Sequence, residues 1–501
     1  MQDPSGDGLL AGLPARISDC YAKWVTATPD APAIIDRGGA WSYAQLAAAV
    51  ASCAQFLSGG GVRPGDRVMI VAENCRDAAA LLLGAAVCDA WPVIVNARLS
   101  ASEIAAIAAH CEPARLLVAG GGMPAARSLA AQCGADSVRV EGLGEVFAGP
   151  LRDDAVPEPA GESGQRVGAV IYTSGSTGQP KGVMLSHRNL LYVAATAAMV
   201  RRVTQADRFY AAMPLSHSVG LSSVLLCALM QGASVQLTSR FNPAEALRSF
   251  AQDGVSIMLG TPSLYALIGE YAASKGIARI DAPNLRIISA SGAPLDLTLK
   301  RATEALFGLD LHHGYGVTEC GPTIAQVRPE TPRADLSVGP LLPGVEARLE
   351  DERDGAGELF VRGPNVMLGY YRAPAETAAV LDQAGWFRTG DLARWDGDHL
   401  LIVGRRKELI IRHGYNVLPA EVEAVLNAHP DVVQSAVIGR DAGGDEEIVA
   451  FVETRSGVAA DEAMLKRYAA ERMASYKQPS RIFFVESLPL LPSGKVDKRR
   501  L

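Results

Sequence analysis

The chain has 501 residues and a mass of 52.6 kDa, with 49% hydrophobic and 20% charged residues, which is room for about three average domains and a globular rather than a disordered balance. A formal charge of −7 and a pI near 5.7 offer none of the basic surplus that nucleic-acid binding needs. The eight cysteines form no C-x-x-C pair and the last 181 residues contain none, so neither a zinc site nor a disulfide framework is expected.

The N-terminus, MQDPSGDGLL, is acidic where a signal peptide is basic. The longest apolar run, Ala78 to Cys88, is too short to cross a bilayer. A cytoplasmic protein without a membrane partner is the expectation. From residue 40 to 118, helical and strand-like patterns alternate: WSYAQLAAAVASCAQFL as an amphipathic helix, RVMIVAE as a buried strand, Arg76 to Val87 as a helix, WPVIVNA as a strand. That alternation predicts a layered α/β fold with a largely parallel sheet. Residues 148–168, rich in Pro, Gly and acids, read as a connector. The alternation resumes over 169–330, with SIMLGTP and LRIISASGAP as strands. After about 335 the runs GVEARLED, GELFVRG and HLLIVGR are short and Gly-bounded, suiting an antiparallel, barrel-like subdomain. From Pro419 onward the pattern is a small α+β unit of roughly 90 residues.

Four segments carry chemistry. In Ile171 to Gly182, IYTSGSTGQPKG, a strand runs into small and hydroxylated residues, whose backbone N–H groups and hydroxyls suit a polyphosphate. It is not a Walker A loop, because Pro180 precedes Lys181 and Gly182 follows it. In HHGYGVTECGP, residues 312–322, glycines flank Tyr315 and leave its ring free to stack on a purine. Glu319, beside Thr318, offers the oxygen ligands of a hard cation. Asp391, in a Thr-Gly-Asp turn, and Arg405, after Gly404, suit a ribose diol. Lys495 rides on a Pro-Ser-Gly turn near the end of the chain.

Together, in this order and spacing, these segments resemble the adenylate-forming superfamily, in its acyl- and aryl-CoA ligase branch, from about residue 16 to Leu501. The resemblance implies a large N-terminal domain (1–403) of layered α/β subdomains with a β-barrel-like subdomain, a hinge at 404–408, and a small mobile α+β domain (409–501) carrying Lys495. It implies ATP, Mg²⁺ and coenzyme A acting on a small carboxylic acid: acyl-AMP and pyrophosphate form first, then a thiol displaces AMP. Thr173, Ser174, Gly175, Ser176, Thr177, Gly178 and Lys181 would form the phosphate loop. Ser291, Gly292, Ala293 and Pro294 would border the adenine against Tyr315, with Asp391 and Arg405 on the ribose. Thr318 would touch the α-phosphate, Glu319 would hold the metal, and Lys495 would act in adenylation alone. Lys407 matches the hinge position and Gly414 the passage of the pantetheine thiol.

By the same resemblance His217, in MPLSHSVG, gates an acyl pocket that includes Val219, Ser289 and Gly316. Ser216, Ser218, Val219 and Gly220 stand where the amino-acid-activating branch places an Asp, which argues against an α-amino acid. The uncharged stretch Ser289 to Gly292 suggests a neutral aromatic, alicyclic or short to medium aliphatic tail; Arg240 would suit a dicarboxylate such as malonate, which this stretch disfavours. The chain ends six residues after Lys495, so a freestanding monomer or homodimer using diffusible CoA is expected. The alternatives are a ligase loading a separate carrier protein and a catalytically silent nucleotide binder. No G-x-S-x-G elbow supports a Ser–His–Asp hydrolase.

Overall fold

The computed structural model describes residues 6–121, 123–159, 166–174, 180–353, 355–413, 415–441, 445–455, 461–489 and 496–501. Its local structure follows from ordinary start signals. Ser42 and Gln45 form a reciprocal cap on the helix Tyr43–Gly59, and the Cys75 side chain caps Arg76–Val87. Each cap satisfies backbone donors that the first turn leaves orphaned. The strands Arg67–Ala72 and Trp91–Asn96 follow the runs read from the sequence, and the first is buried at every position. A strand buried on both faces belongs in the interior of a parallel sheet.

Two eight-stranded sheets share one apolar core. In the first, the strands lie in the order Gly369–Tyr370, Pro180–Ser186, Val167–Ser174, Trp91–Asn96, Arg67–Ala72, Arg115–Ala119, Val146–Ala148 and Asp136–Val138. The second runs Thr323–Gln326, Leu311–Gly316, Ile287–Ala290, Ile257–Gly260, Arg208–Ala211, Ser234–Leu237, Pro32–Asp36 and Gly39–Ser42. Both are parallel in the middle and antiparallel at the outer strands. The helices Tyr43–Gly59, Arg76–Val87 and His187–Arg201 contribute to the core that also takes in residues of both sheets. His187–Arg201 is buried along almost its whole length, its polar residues Asn189, Thr196 and Arg201 included.

The region after 335 is antiparallel, as its Gly-bounded runs suggest. Glu346–Arg353, Ala356–Arg362, Phe387–Asp396 and His399–Arg405 pair in that order, with the first and last as the outer strands. A short 3₁₀ turn, Arg406–Glu408, follows directly, within the segment expected to be the hinge. Beyond it, Pro419–Asn427 and Glu462–Ala470 pack on the sheet Val432–Asp441, Glu446–Thr454 and Arg481–Val485. These elements have an apolar core of their own, built around Val422, Leu426, Ile448 and Leu465. All eight cysteines are free thiols. No helix among the described residues is long and apolar enough to cross a membrane.

Candidate active site

One cavity of about 550 Å³ gathers residues of three of the four segments singled out above. Its walls are the carboxyl ends of parallel strands, where open α/β sheets place their ligands. Ile287–Ala290 delivers Ser289, Ser291 and Gly292; Leu311–Gly316 delivers Tyr315, Gly316, Thr318 and Glu319; the antiparallel sheet adds Asp391, Arg405 and Lys407. Thr173 and Lys181 face each other as register partners on adjacent strands, and both line the cavity. Ala293 and Pro294 follow on the same turn but are not part of the wall. Ser174 ends its strand, and its side chain lies outside the described residues, as do Gly175, Ser176, Thr177, Gly178, Gly414 and Lys495.

Asp391 is the electrostatic anchor of the polar wall. It is 3% exposed, accepts a hydrogen bond from the Tyr315 hydroxyl at 2.6 Å, and pairs with the Arg405 guanidinium at 2.9 Å. The geometry is dictated by the sheet, in which Asp391 and Arg405 are direct cross-strand partners. Burial drives the Tyr315 phenol pKa well above its ordinary value, with the Asp391 charge adding to the effect. The hydroxyl therefore stays protonated and keeps donating. Asp391 itself raises the pKa of Arg405. A carboxylate has about four acceptor positions, so these two bonds leave room for hydroxyl donors from a ligand.

Glu319 sits across the cavity on the 3₁₀ turn Thr318–Cys320 and accepts from the Tyr370 hydroxyl at 2.8 Å. The Lys181 ammonium lies 5.2 Å from the centre of the same tyrosine ring, within cation–π range. Tyr370 thus ties the phosphate-loop lysine to the candidate metal ligand, a link the spacing of the sequence does not reveal. Among the described residues no three His, Cys, Asp or Glu side chains converge. A hard cation here would fit Glu319 together with phosphate oxygens, the usual arrangement for Mg²⁺, rather than an all-protein cage.

His217, Ser218 and Val219 also line the cavity, at the start of an eight-residue π-helix, Val219–Leu226. Such wide turns occur mostly at functional sites. The His217 Nδ1 accepts the Val219 N–H at 3.3 Å. Gly316 has no alternative here: a Cβ on it would lie 1.9 Å from the Pro322 carbonyl oxygen. Arg240 does not reach this cavity; it is largely exposed and pairs with Glu73. Two residues the sequence reading passed over do reach it, Arg201 and Gln326, and both are buried. The signal for Arg201 was available, because it closes the apolar run NLLYVAATAAMV. Nothing in the spacing marks Gln326.

The chain matches the family model described as AMP-binding enzyme over residues 21–371 and that of the AMP-binding enzyme C-terminal domain over 421–495. It is similar to a 2-succinylbenzoate–CoA ligase of Geobacillus kaustophilus (strain HTA426), at 34% identity over 482 residues and 95% of each chain. A feruloyl-CoA synthase of Amycolatopsis sp. is 35% identical over 486 residues, 94% of this chain and 95% of the other. Among solved structures, ATP-bound MatB from Rhodopseudomonas palustris superposes with a TM-score of 0.85 at 29% identity, over 97% of this chain and 98% of that one.

Proposed function

The chain belongs to the AMP-binding enzyme family, and from that premise we propose that it is an AMP-forming acid–CoA ligase. The observation that carries the reading is the joining of two half-sites in one cavity: Asp391, Arg405 and Tyr315 for a nucleoside, Glu319, Thr318 and Lys181 for its phosphates. A silent nucleotide binder would not need the second set opposite an acyl pocket.

In the first half-reaction a carboxylate oxygen of the acid bonds to the α-phosphorus of ATP, and the bond to pyrophosphate breaks. Asp391 orients the ribose, Tyr315 carries the adenine, and Lys181 draws the outer phosphates into line. Glu319 would hold Mg²⁺, which would supply neutralisation of the phosphate charge. The Thr318 hydroxyl donates to the α-phosphate as its negative charge grows, where a fixed donor contributes most. Lys495 serves the same charge from residues 409–501, which swing about 404–408. In the second half-reaction the CoA sulfur bonds to the acyl carbon along a path at Gly414, AMP leaves, and the thiol proton passes to solvent. His217 closes the acyl side.

Pyrophosphate release from ATP and Mg²⁺, measured over a panel of carboxylic acids with and without CoA, tests the reading. Sustained turnover that requires CoA is expected. A single burst that CoA does not relieve points to a carrier-protein acceptor, and no release with any acid refutes the ligase. Lys495→Ala should lower adenylation by about 10²–10³-fold and leave thioester formation from supplied acyl-AMP near normal. Equal damage to both half-reactions would remove Lys495 from its role.

A further inference from the structure

Arg201 ends the buried helix His187–Arg201 and is itself 3% exposed. Its Nη1 donates to the Ser223 carbonyl at 2.8 Å and its Nη2 to the Gln326 side-chain oxygen at 3.2 Å. Its enclosed Nε has no oxygen or nitrogen acceptor, the guanidinium's other neighbour being the Cys227 thiol, and Nε2 of Gln326 has no partner. Among the described residues no carboxylate pairs with this guanidinium. Burial pulls its pKa down, and only the Cys227 thiol works in the opposite direction.

A guanidinium keeps its proton under all ordinary conditions, and an enclosed cation without a counterion is costly. Its surroundings are not those of a structural staple. Arg201 and Gln326 line the same cavity as Ser218, Ser223 and Thr323. The Ser223 and Thr323 hydroxyls stand 3.3 Å apart, and the Ser218 hydroxyl, wholly buried, has no partner. Unpartnered donors on Arg201, Gln326 and Ser218 therefore belong to residues of one cavity wall. Arg201, Gln326 and Ser218 are buried, whereas Arg406 and Lys407, which line the same cavity, are exposed.

Resting on the ligase reading above, we infer that the acid activated here carries a second anionic group, a carboxylate or sulfonate, bound by Arg201 and Gln326 in this cavity. The neutral wall Ser289 to Gly292 describes only one side of that space. The names of the relatives do not decide the point, since 2-succinylbenzoate is a diacid and ferulate is not.

The test compares matched acids in the pyrophosphate assay with ATP, Mg²⁺ and CoA: glutarate and adipate against their monomethyl esters, and 4-carboxycinnamate and 4-sulfocinnamate against cinnamate. In at least one pair the anionic member should have the higher kcat/KM by tenfold or more, and the carboxylate and sulfonate arms show which anion is preferred. Arg201→Met and Gln326→Glu should each collapse that ratio by about 10- to 100-fold, the worth of a buried charged hydrogen bond. Gln326→Glu supplies Arg201 with an internal carboxylate, so the fold is retained if Arg201→Met melts early. A neutral member that matches or beats its partner in every pair overturns the inference and leaves the ligase standing. So does an equal loss for both members in Gln326→Glu. No pyrophosphate from any acid, with ATP still bound, overturns the ligase reading itself.

Discussion

Asp391→Asn separates the nucleotide reading from a purely structural one. The carboxylate is 3% exposed and accepts from Tyr315 at 2.6 Å and Arg405 at 2.9 Å. An amide keeps one accepting oxygen. With that oxygen toward Arg405, its NH₂ faces the Tyr315 hydroxyl, and the phenolic proton loses its charged acceptor. A hydrogen bond to a charged group is worth about 1.5–3 kcal/mol, and a ribose hydroxyl bound to the same carboxylate loses a similar amount. The sum is about 3–6 kcal/mol, or roughly 10²–10⁴-fold in kcat/KM for ATP at about 1.4 kcal/mol per tenfold. With 2′,3′-dideoxy-ATP the ribose share vanishes in both proteins, so the loss on substitution should shrink by about tenfold or more. Initial rates of pyrophosphate release at varied nucleotide, with saturating acid and CoA, measure both losses. An equal loss with the two nucleotides would refute the assignment of Asp391 to the ribose, whatever happens to stability.

Two further outcomes follow from packing and linkage. Gly316→Ala must displace the Pro322 carbonyl, a strain of about 1–3 kcal/mol by the usual cost of overpacking; a lower melting temperature and at least a tenfold loss of kcat/KM are expected, and an unperturbed enzyme would contradict the close approach. Asp207 is buried, which pushes its pKa up, but Arg286, the Thr204 N–H and the Ser256 hydroxyl outweigh burial and hold it below the ordinary carboxylate value. A depressed folded-state pKa gives stability that is complete above the unfolded value, about 3.9, and is lost as pH falls through the folded one. Denaturant titrations should therefore show wild-type stability declining below about pH 4, while Asp207→Asn costs about 3 kcal/mol at pH 7 and flattens that decline; parallel pH curves would count against it.

The parts of this molecule legible in its sequence are those set by local chemistry. The helix Arg76–Val87 has the same ends in the sequence pattern and in the structure because a cap precedes it and the chain turns at Cys88–Asp89. The strands Arg67–Ala72 and Trp91–Asn96 stand out because burial of their central residues requires an apolar run. Tyr315, Glu319, Asp391 and Arg405 were readable as a set because their motifs are contiguous, and the cavity brings them together. Arg201 and Gln326 were not, because their meaning lies in a contact across 125 positions of sequence. Arg240, whose dicarboxylate reading the sequence already disfavoured, lies away from the cavity, and its charge is taken up by Glu73.

The turn after His399–Arg405 leaves very little chain for the proposed swing. Arg406 is fastened to Glu358 and Asp351 of the antiparallel sheet. Glu408, two residues on, meets Lys498, which also holds Glu423 on the other side. Lys407 alone lies between the two fastenings. A swing of the kind proposed then has two torsion angles at its disposal, and the same backbone adjoins Arg405 on the nucleotide. Such a joint behaves as a swivel with few intermediate stops rather than as a flexible tether. Lys407→Pro would freeze one of those torsions as well as removing a side chain from the cavity wall.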